Sequence, residues 1–292
     1  MLMDISLVII YSISFLALLI ASYTDLKTRE VPDWLNYSLI FTGIGLRLVF
    51  SVYYNNYSYI LEGLSGLALF VAIAFLMFYA GQWGGGDSKM LMALGALFGI
   101  SLDYNSFSIS FFINLLLVGA LYGLLYSLYL TLNNWKAFRK ELNKFSNFKK
   151  YIHYFIISAL ALSIIIYFAT EDIYLKFIFI SWIFFVFLTF ILWQFVKIIE
   201  KSCMLKLVNP KVLTEGDWVA KEVKYKGGVI AGPKDLGVSK KQIQLLVKLY
   251  NQKKISKVIL KQGIPFIPSF LVAFIVTLML GNLLSYFTGV LI

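Results

Sequence analysis

The chain carries one cysteine, Cys203, and one histidine, His153, in 292 residues. A single thiol excludes an internal disulfide and a cysteine-cluster zinc site, and a single imidazole excludes a multi-histidine metal centre. His153 falls at the edge of a basic loop with no evident serine or cysteine partner, so it reads as an interfacial residue and not as the base of a hydrolytic triad. Acids are scarce as well: 15 Asp and Glu stand against 26 Lys and Arg, a formal net charge of +11. The first apolar run lacks a basic leading region and an A-x-A-like cleavage site, and it ends in Asp25, so it reads as a retained helix and not as a signal peptide. The sequence contains no internal repeat and no low-complexity tract. These absences leave a chain for which neither a metal nor another cofactor is expected, and no nucleic-acid partner.

What is present is apolar surface. The chain is 60% hydrophobic and 17% aromatic, with a mean hydropathy of +0.81, which places it in the membrane class. Many Tyr and Trp lie at the ends of apolar runs, as an interfacial belt requires. Runs long enough to span, or nearly so, fall at about 5–24, 35–54, 59–81, 88–102, 107–132, 152–170, 174–197 and 266–290. The expected fold is therefore all-α and polytopic, with about eight transmembrane helices, the fourth of them short.

Charge sets the expected orientation. With the N-terminus outside, the inner loops 25–34, 82–89, 133–151 and 197–264 hold two, one, six and fifteen Lys or Arg, 24 of the 26 in the chain. Only Arg47 and Lys176 fall elsewhere, so the positive-inside rule favours this orientation strongly, in a multi-pass protein of the cell membrane. The expected partition is a transmembrane catalytic part over 1–199, a Lys-rich cytosolic module over 200–264 and a last transmembrane helix over 265–292. Within the module, 217–225 reads as a strand and Gly227-Gly228 as a turn. Ser239 caps a helix from Lys240 to about Lys253 with Ile243, Leu246, Val247 and Tyr250 on one face, and Lys257–Lys261 forms another strand. The module is thus a small α+β unit, with a solvated linker as the plainer reading.

The chemistry concentrates in Gly84-Gly85-Gly86-Asp87, set between two apolar runs. An Asp at a bilayer edge is costly to desolvate, and three glycines contribute no packing, so the pair of features points to a pliable backbone beside a working carboxylate. A second acid, Asp25, closes the first apolar run 62 positions earlier, and the topology puts both at the inner face. Two such carboxylates suit a peptide-cutting acid–base pair, in which one takes a proton from water and the other donates to the carbonyl oxygen. Taken singly, Asp87 reads as an ordinary helix cap and Asp25 as a juxtamembrane charge beside Lys27 and Arg29. Their agreement on one face favours the catalytic reading. Asp33 reads as a cap of the second span. Lys89 either tunes the dyad, binds lipid phosphate or simply snorkels, and Arg47 is a snorkelling or buried structural residue.

These residues resemble a known family. Gly84-Gly85-Gly86-Asp87-Ser88-Lys89, with Ala93-Leu94-Gly95-Ala96 behind it, resembles the GxGD signature of type IV prepilin peptidases. Tyr23-Thr24-Asp25-Leu26-Lys27-Thr28-Arg29-Glu30-Val31-Pro32-Asp33-Trp34 resembles their first motif, and Gly263-Ile264-Pro265-Phe266-Ile267-Pro268-Ser269-Phe270 the start of their last helix. The likeness is greatest to the archaeal prepilin and preflagellin (archaellin) peptidases, in a longer form with a cytosolic insert. It implies that Asp25 and Asp87 are the catalytic aspartates, supported by Gly84, Gly85, Gly86 and Lys89. It also implies an endopeptidase that removes a short basic leader from pilin-like or archaellin precursors at the cytoplasmic face. Asp33 departs from the Asn of many relatives. Bacterial relatives often have a Cys-rich zinc loop and N-methyltransferase activity, neither expected here. Presenilin-like proteases share GxGD but need a Pro-Ala-Leu motif that this chain lacks.

Two other functions remain open from the sequence. A proton-relaying transporter would use Asp25, Asp87 and Lys89, and would call for a mid-membrane carboxylate and a repeated half, neither of which is found. A non-catalytic assembly factor would use the Lys-rich module as its surface. Membrane lipid and precursor proteins are the expected partners, and oligomeric state is not legible.

Overall fold

The computed structural model describes residues 5–101, 103–144 and 146–289. Eight helices come first: α1 (Ile5–Thr28), α2 (Asp33–Tyr53), α3 (Ser58–Tyr79), α4 (Gly85–Phe98), α5 (Phe107–Asn133), α6 (Trp135–Lys144), α7 (Ser146–Ala169) and α8 (Ile173–Ile199). A mixed segment follows, with β1 (Leu205–Val208), β2 (Trp218–Val219), β3 (Val223–Tyr225), β4 (Gly228–Ala231), α9 (Lys240–Asn251) and β5 (Val258–Lys261). The chain then returns to α10 (Ile267–Leu280) and α11 (Leu283–Thr288). The protein is a mostly helical membrane protein with a small β-sheet module before its last helices.

Among the described residues, six helices are long and apolar enough to cross a bilayer: α1, α2, α3, α5, α7 and α8. The fourth and eighth runs of the sequence, 88–102 and 266–290, differ from expectation. They form 14-residue helices, about 21 Å at 1.5 Å per residue and short of a 30 Å hydrocarbon core. Each stops at a glycine in the left-handed region, Gly99 at φ 65° and Gly281 at φ 65°. In α4 the apolar character reflects burial in protein, whereas α10 keeps Val272, Leu278, Met279 and Leu280 exposed. Met90, Leu91, Ala93, Leu94, Ala96 and Leu97 of α4 are completely buried, which makes α4 a central helix that is hydrophobic on all sides.

Helix α4 packs chiefly on α3 and α2, and α10 on α5 and α1. Small residues permit the close approach. A Cβ on Gly66 of α3 would lie 2.5 Å from the Gly95 carbonyl oxygen and 2.6 Å from the Gly99 carbonyl carbon, and one on Gly43 of α2 2.9 Å from the Ala96 carbonyl carbon. Gly66→Ala is therefore expected to destabilise the chain by about 1–3 kcal/mol, because backbone atoms cannot yield as side-chain ends do. Gly45→Ala, where a Cβ meets nothing within 4 Å, is the control. Thermal unfolding of both in detergent checks this, and equal midpoints would contradict it.

Arg47 of α2 closes the far end of α4. It is 3% exposed. Its Nε donates to the Leu97 carbonyl at 3.0 Å and its Nη1 to the Tyr59 carbonyl at 2.9 Å. Its Nη2 donates to the Phe98 carbonyl, and Glu62 lies 3.5 Å from Nη1. The buried structural alternative thus holds for Arg47, as a cap on carbonyls that no following helical turn satisfies. Beside it Phe98 stacks on Phe274 at 5.8 Å and meets Phe107 edge-on at 4.9 Å, joining α4, α5 and α10. Asn114 of α5 ties α10 and α11 together, donating to Thr277 Oγ1 and the Gly281 carbonyl and accepting from the Leu283 N–H.

Helices α7 and α8 form a hairpin with no buried residue in their apolar windows, its outward Trp182, Phe184 and Phe185 left for lipid. The stretch 133–151, expected as an inner loop, contains the amphipathic helix α6. Its Phe138 is buried against Ile198 and Ile199 of α8.

The module has two small antiparallel sheets, ordered β1-β5-β2 and β3-β4. Its core joins Leu213, Val219, Ala231, Val238, Leu246 and Val258. Ser239 caps α9 as expected, its Oγ accepting from the Gln242 N–H while Gln242 Oε1 accepts from the Ser239 N–H. The single strand read over 217–225 is two short strands, because Trp218–Val219 pairs with β5 whereas Val223–Tyr225 pairs with β4. On α9, Leu249 is buried with Leu246, and Val247 is only half-buried.

Candidate active site

Asp25 sits one turn from the end of α1, 5% exposed. Its Oδ2 accepts a 2.9 Å hydrogen bond from the Ile267 N–H, the first residue of α10. The sequence builds this contact locally. Pro265 and Pro268 flank the start of α10, and the unpaired N–H groups of a helix's first turn, with its dipole, suit a carboxylate. Gly119 of α5 makes room, since a Cβ there would be 2.7 Å from Cζ of Phe266. Trp83, 5% exposed, packs on Phe266 and Phe270 at 6.0 and 5.7 Å and holds the turn before α4 to α10.

Asp87 is half-buried and lies in the first turn of α4, not at its cap as the sequence suggested. Gly84 takes the cap position, and its N–H donates to Asp87 Oδ2 at 3.1 Å. Asp87 is within electrostatic reach of Asp25. Gly85 and Gly86 belong to the helix, and none of the three glycines has a positive φ. Gly86 serves close packing: a Cβ there would sit 3.3 Å from Cβ and Cγ2 of Val31, so the start of α4 lies directly against the α1–α2 turn.

Asp87 is thus bonded to Gly84 and within electrostatic reach of Asp25. Lys89 instead pairs with Asp33, Nζ to Oδ1 at 2.6 Å, and lies 5.6 Å from the centre of the Tyr37 ring. It therefore clasps the start of α4 to the start of α2. The pair is partly exposed, 32% and 62%, and contributes on the order of 1 kcal/mol or less. Asp33 is the first residue of α2, with Pro32 at the cap position.

Three further residues near the two aspartates carry no distinguishing mark in the sequence: Trp83, Arg29 and Tyr122. Arg29 follows α1 with φ 61°, and its Nη1 donates to the Gly263 carbonyl just before α10. Tyr122 of α5 is within electrostatic reach of both Asp25 and Arg29. Nothing local in LKTRE separates Arg29 from Lys27. Its partner lies 234 positions away.

Residues 12–135, which include both aspartates, match the type IV leader peptidase family. Similar proteins include the preflagellin peptidases of Methanococcus maripaludis, 37% identical over 87 residues, and of Methanococcus voltae, 38% identical over 89 residues. That of Methanocaldococcus jannaschii is 34% identical over 87 residues. Each similarity covers 30% of this chain and only 37–38% of the relative's length, a little over a third. No solved structure matches the chain. Over residues 12–135, then, the chain is similar to the type IV leader peptidase family.

Proposed function

We propose that this protein is a membrane aspartic endopeptidase that removes a short basic leader from type IV pilin-like or archaellin precursors. Asp25 and Asp87 are its acid–base pair, and N-methyltransferase activity is absent. The observation that carries this reading is convergence: two carboxylates 62 positions apart come within electrostatic reach, one of them fixed by the Ile267 N–H. Two carboxylates that act as a dyad do not both ionise readily, so in this reading the pair shares one proton and works as a unit.

The ionised carboxylate takes a proton from water as its oxygen attacks the scissile carbonyl carbon. The protonated carboxyl gives its proton to the carbonyl oxygen, forming a neutral gem-diol. In the second step the diol returns a proton, the C–N bond breaks and the leaving amine is protonated, restoring the dyad. Charge distribution supports an N-terminus outside and the dyad at the cytoplasmic face, because 24 of 26 Lys and Arg then lie inside. A basic leader held inside by the same rule presents its junction with the apolar helix at that face.

The test is cleavage of a precursor with a short Lys/Arg leader, a small junction residue and an apolar helix. Wild type, Asp25→Asn and Asp87→Asn are compared in membranes at equal expression. Cleavage by wild type alone supports the dyad, and cleavage that survives either change sinks it.

A further inference from the structure

One corner of the β-sheet module touches both turns that adjoin the aspartates. Trp218 pairs in register with Lys261 across β2 and β5, and Gly263 follows two residues later, so Trp218 and Gly263 leave the sheet at the same edge. Gly263 is held by Arg29, which follows the Asp25 end of α1. Cη2 of Trp218 comes within 3.5 Å of the position a Cβ would take on Gly81, in the α3–α4 turn that leads into Gly84 and Asp87. Gly81 has φ 68°, so this turn depends on glycine there.

The electrostatics agree with these two contacts. Burial pushes the Asp217 carboxyl up, the Thr214 N–H at 2.8 Å opposes that, and Glu30 of the α1–α2 turn adds to the rise. Asp217 is thus within electrostatic reach of the first turn, while its neighbour Trp218 stands on the second.

The sheet corner is itself fixed. Lys261 Nζ lies 5.7 Å over the Trp218 ring and 3.1 Å from Glu200 Oε1, and the Gln262 N–H donates to the Met204 carbonyl at 2.9 Å. These contacts anchor the corner to the chain leaving α8. Beyond it, only Gln262 to Phe266 separate β5 from the Ile267 N–H that holds Asp25.

We infer that the β1-β5-β2 sheet is a brace that sets the spacing of the two turns that adjoin the aspartates, with Arg29 and Trp218 as positioning residues for the dyad. The catalytic part of this inference rests on the proposed peptidase reading; the geometric part does not. A dyad that shares one proton depends steeply on separation, and displacing a reacting group by about 1 Å is enough to cost on the order of 100-fold in rate. The groups around Asp25 include Asp87 from α4, Arg29 from the α1–α2 turn, Tyr122 from α5 and the Phe266 and Ile267 N–H groups at the start of α10. Loosening the brace changes their distances together.

The experiment uses the full chain in a Cys203→Ser background, with nitroxide labels at Lys27→Cys in the last helical turn of α1 and Gln82→Cys in the α3–α4 turn, both exposed positions. The label-to-label distance distribution is measured by electron–electron dipolar spectroscopy for the parent, Trp218→Ala, Trp218→Phe, Arg29→Gln and Arg29→Lys. Precursor cleavage is measured on the same variants without labels, per folded molecule. Trp218→Ala and Arg29→Gln are expected to broaden the distribution. They are also expected to lower kcat by about 10- to 100-fold with little change in KM, and to alter the shape of the pH–rate profile. Trp218→Phe, which keeps an aromatic contact, and Arg29→Lys, which keeps a cationic donor, are expected to recover most of both signals. A distribution unchanged in both truncating variants overturns the brace. So does a broadened one with undiminished kcat and a superimposable pH profile. If the parent cleaves no precursor, the peptidase reading fails by itself, and the distance measurement still decides whether the module spaces the turns.

Discussion

Asp25→Asn and Asp87→Asn are each expected to lower kcat/KM for precursor cleavage by about 10⁴-fold or more, the scale on which a catalytic unit fails when one member is removed. The amide is nearly isosteric, so packing on the Ile267 and Gly84 N–H groups is only rearranged. An amide oxygen can still accept from Ile267 or Gly84. It cannot take a proton from water at neutral pH, and it cannot deliver one to a carbonyl oxygen. The double variant is expected to be little worse than either single one, because each change already removes the shared proton. Additive losses would argue that the two carboxylates act independently.

The second large effect lies at the opposite end of α4. Arg47→Met is expected to destabilise the chain by roughly 3 kcal/mol or more. It strips donors from the Leu97, Phe98 and Tyr59 carbonyls, and each buried acceptor left unmet costs about 1–3 kcal/mol. The methionine side chain fills much of the volume and supplies none of the hydrogen bonds. Arg47→Lys keeps the charge but replaces a planar fork with one point donor, so its loss should be intermediate. Thermal unfolding in detergent reads this order directly. An Arg47→Met midpoint equal to wild type would show that water reaches those carbonyls and that the guanidinium is dispensable. Helix α4 is about 21 Å long, so cleavage per folded molecule at low temperature should change far less than stability does.

Much of this protein is legible from local sequence. Hydropathy finds each long span within a few residues, because a bilayer demands length and apolarity of the segment itself and asks little of its neighbours. Ser239 announces α9 because a cap is made by residues three apart. Asp25 and Asp87 stand out because an acid at the end of an apolar run is rare. The limits are equally physical. Runs 88–102 and 266–290 read as spans, since apolar residues covered by protein look the same in sequence as apolar residues covered by lipid. Only the structure shows α4 enclosed by its neighbours, through contacts such as Gly66 on Gly95 and Phe98 on Phe274, and α10 ending at Gly281 after 14 residues. Residues 217–225 read as one strand because alternation marks a strand without naming its partner.

By itself, then, the sequence determined that this chain is a membrane protein, where its long helices run and which two acids deserve a functional reading. Each of those follows from chemistry within about twenty residues. Tertiary structure decided the rest, because the deciding contacts join positions far apart in the chain. Asp25 meets the Ile267 N–H 242 residues later, and Arg29 meets Gly263 across 234. Lys89 turns to Asp33, and Trp218 reaches the turn before Asp87. Backbone N–H and C=O groups are the partners in several of these contacts. Every residue has them, so no sequence pattern distinguishes the ones that are used.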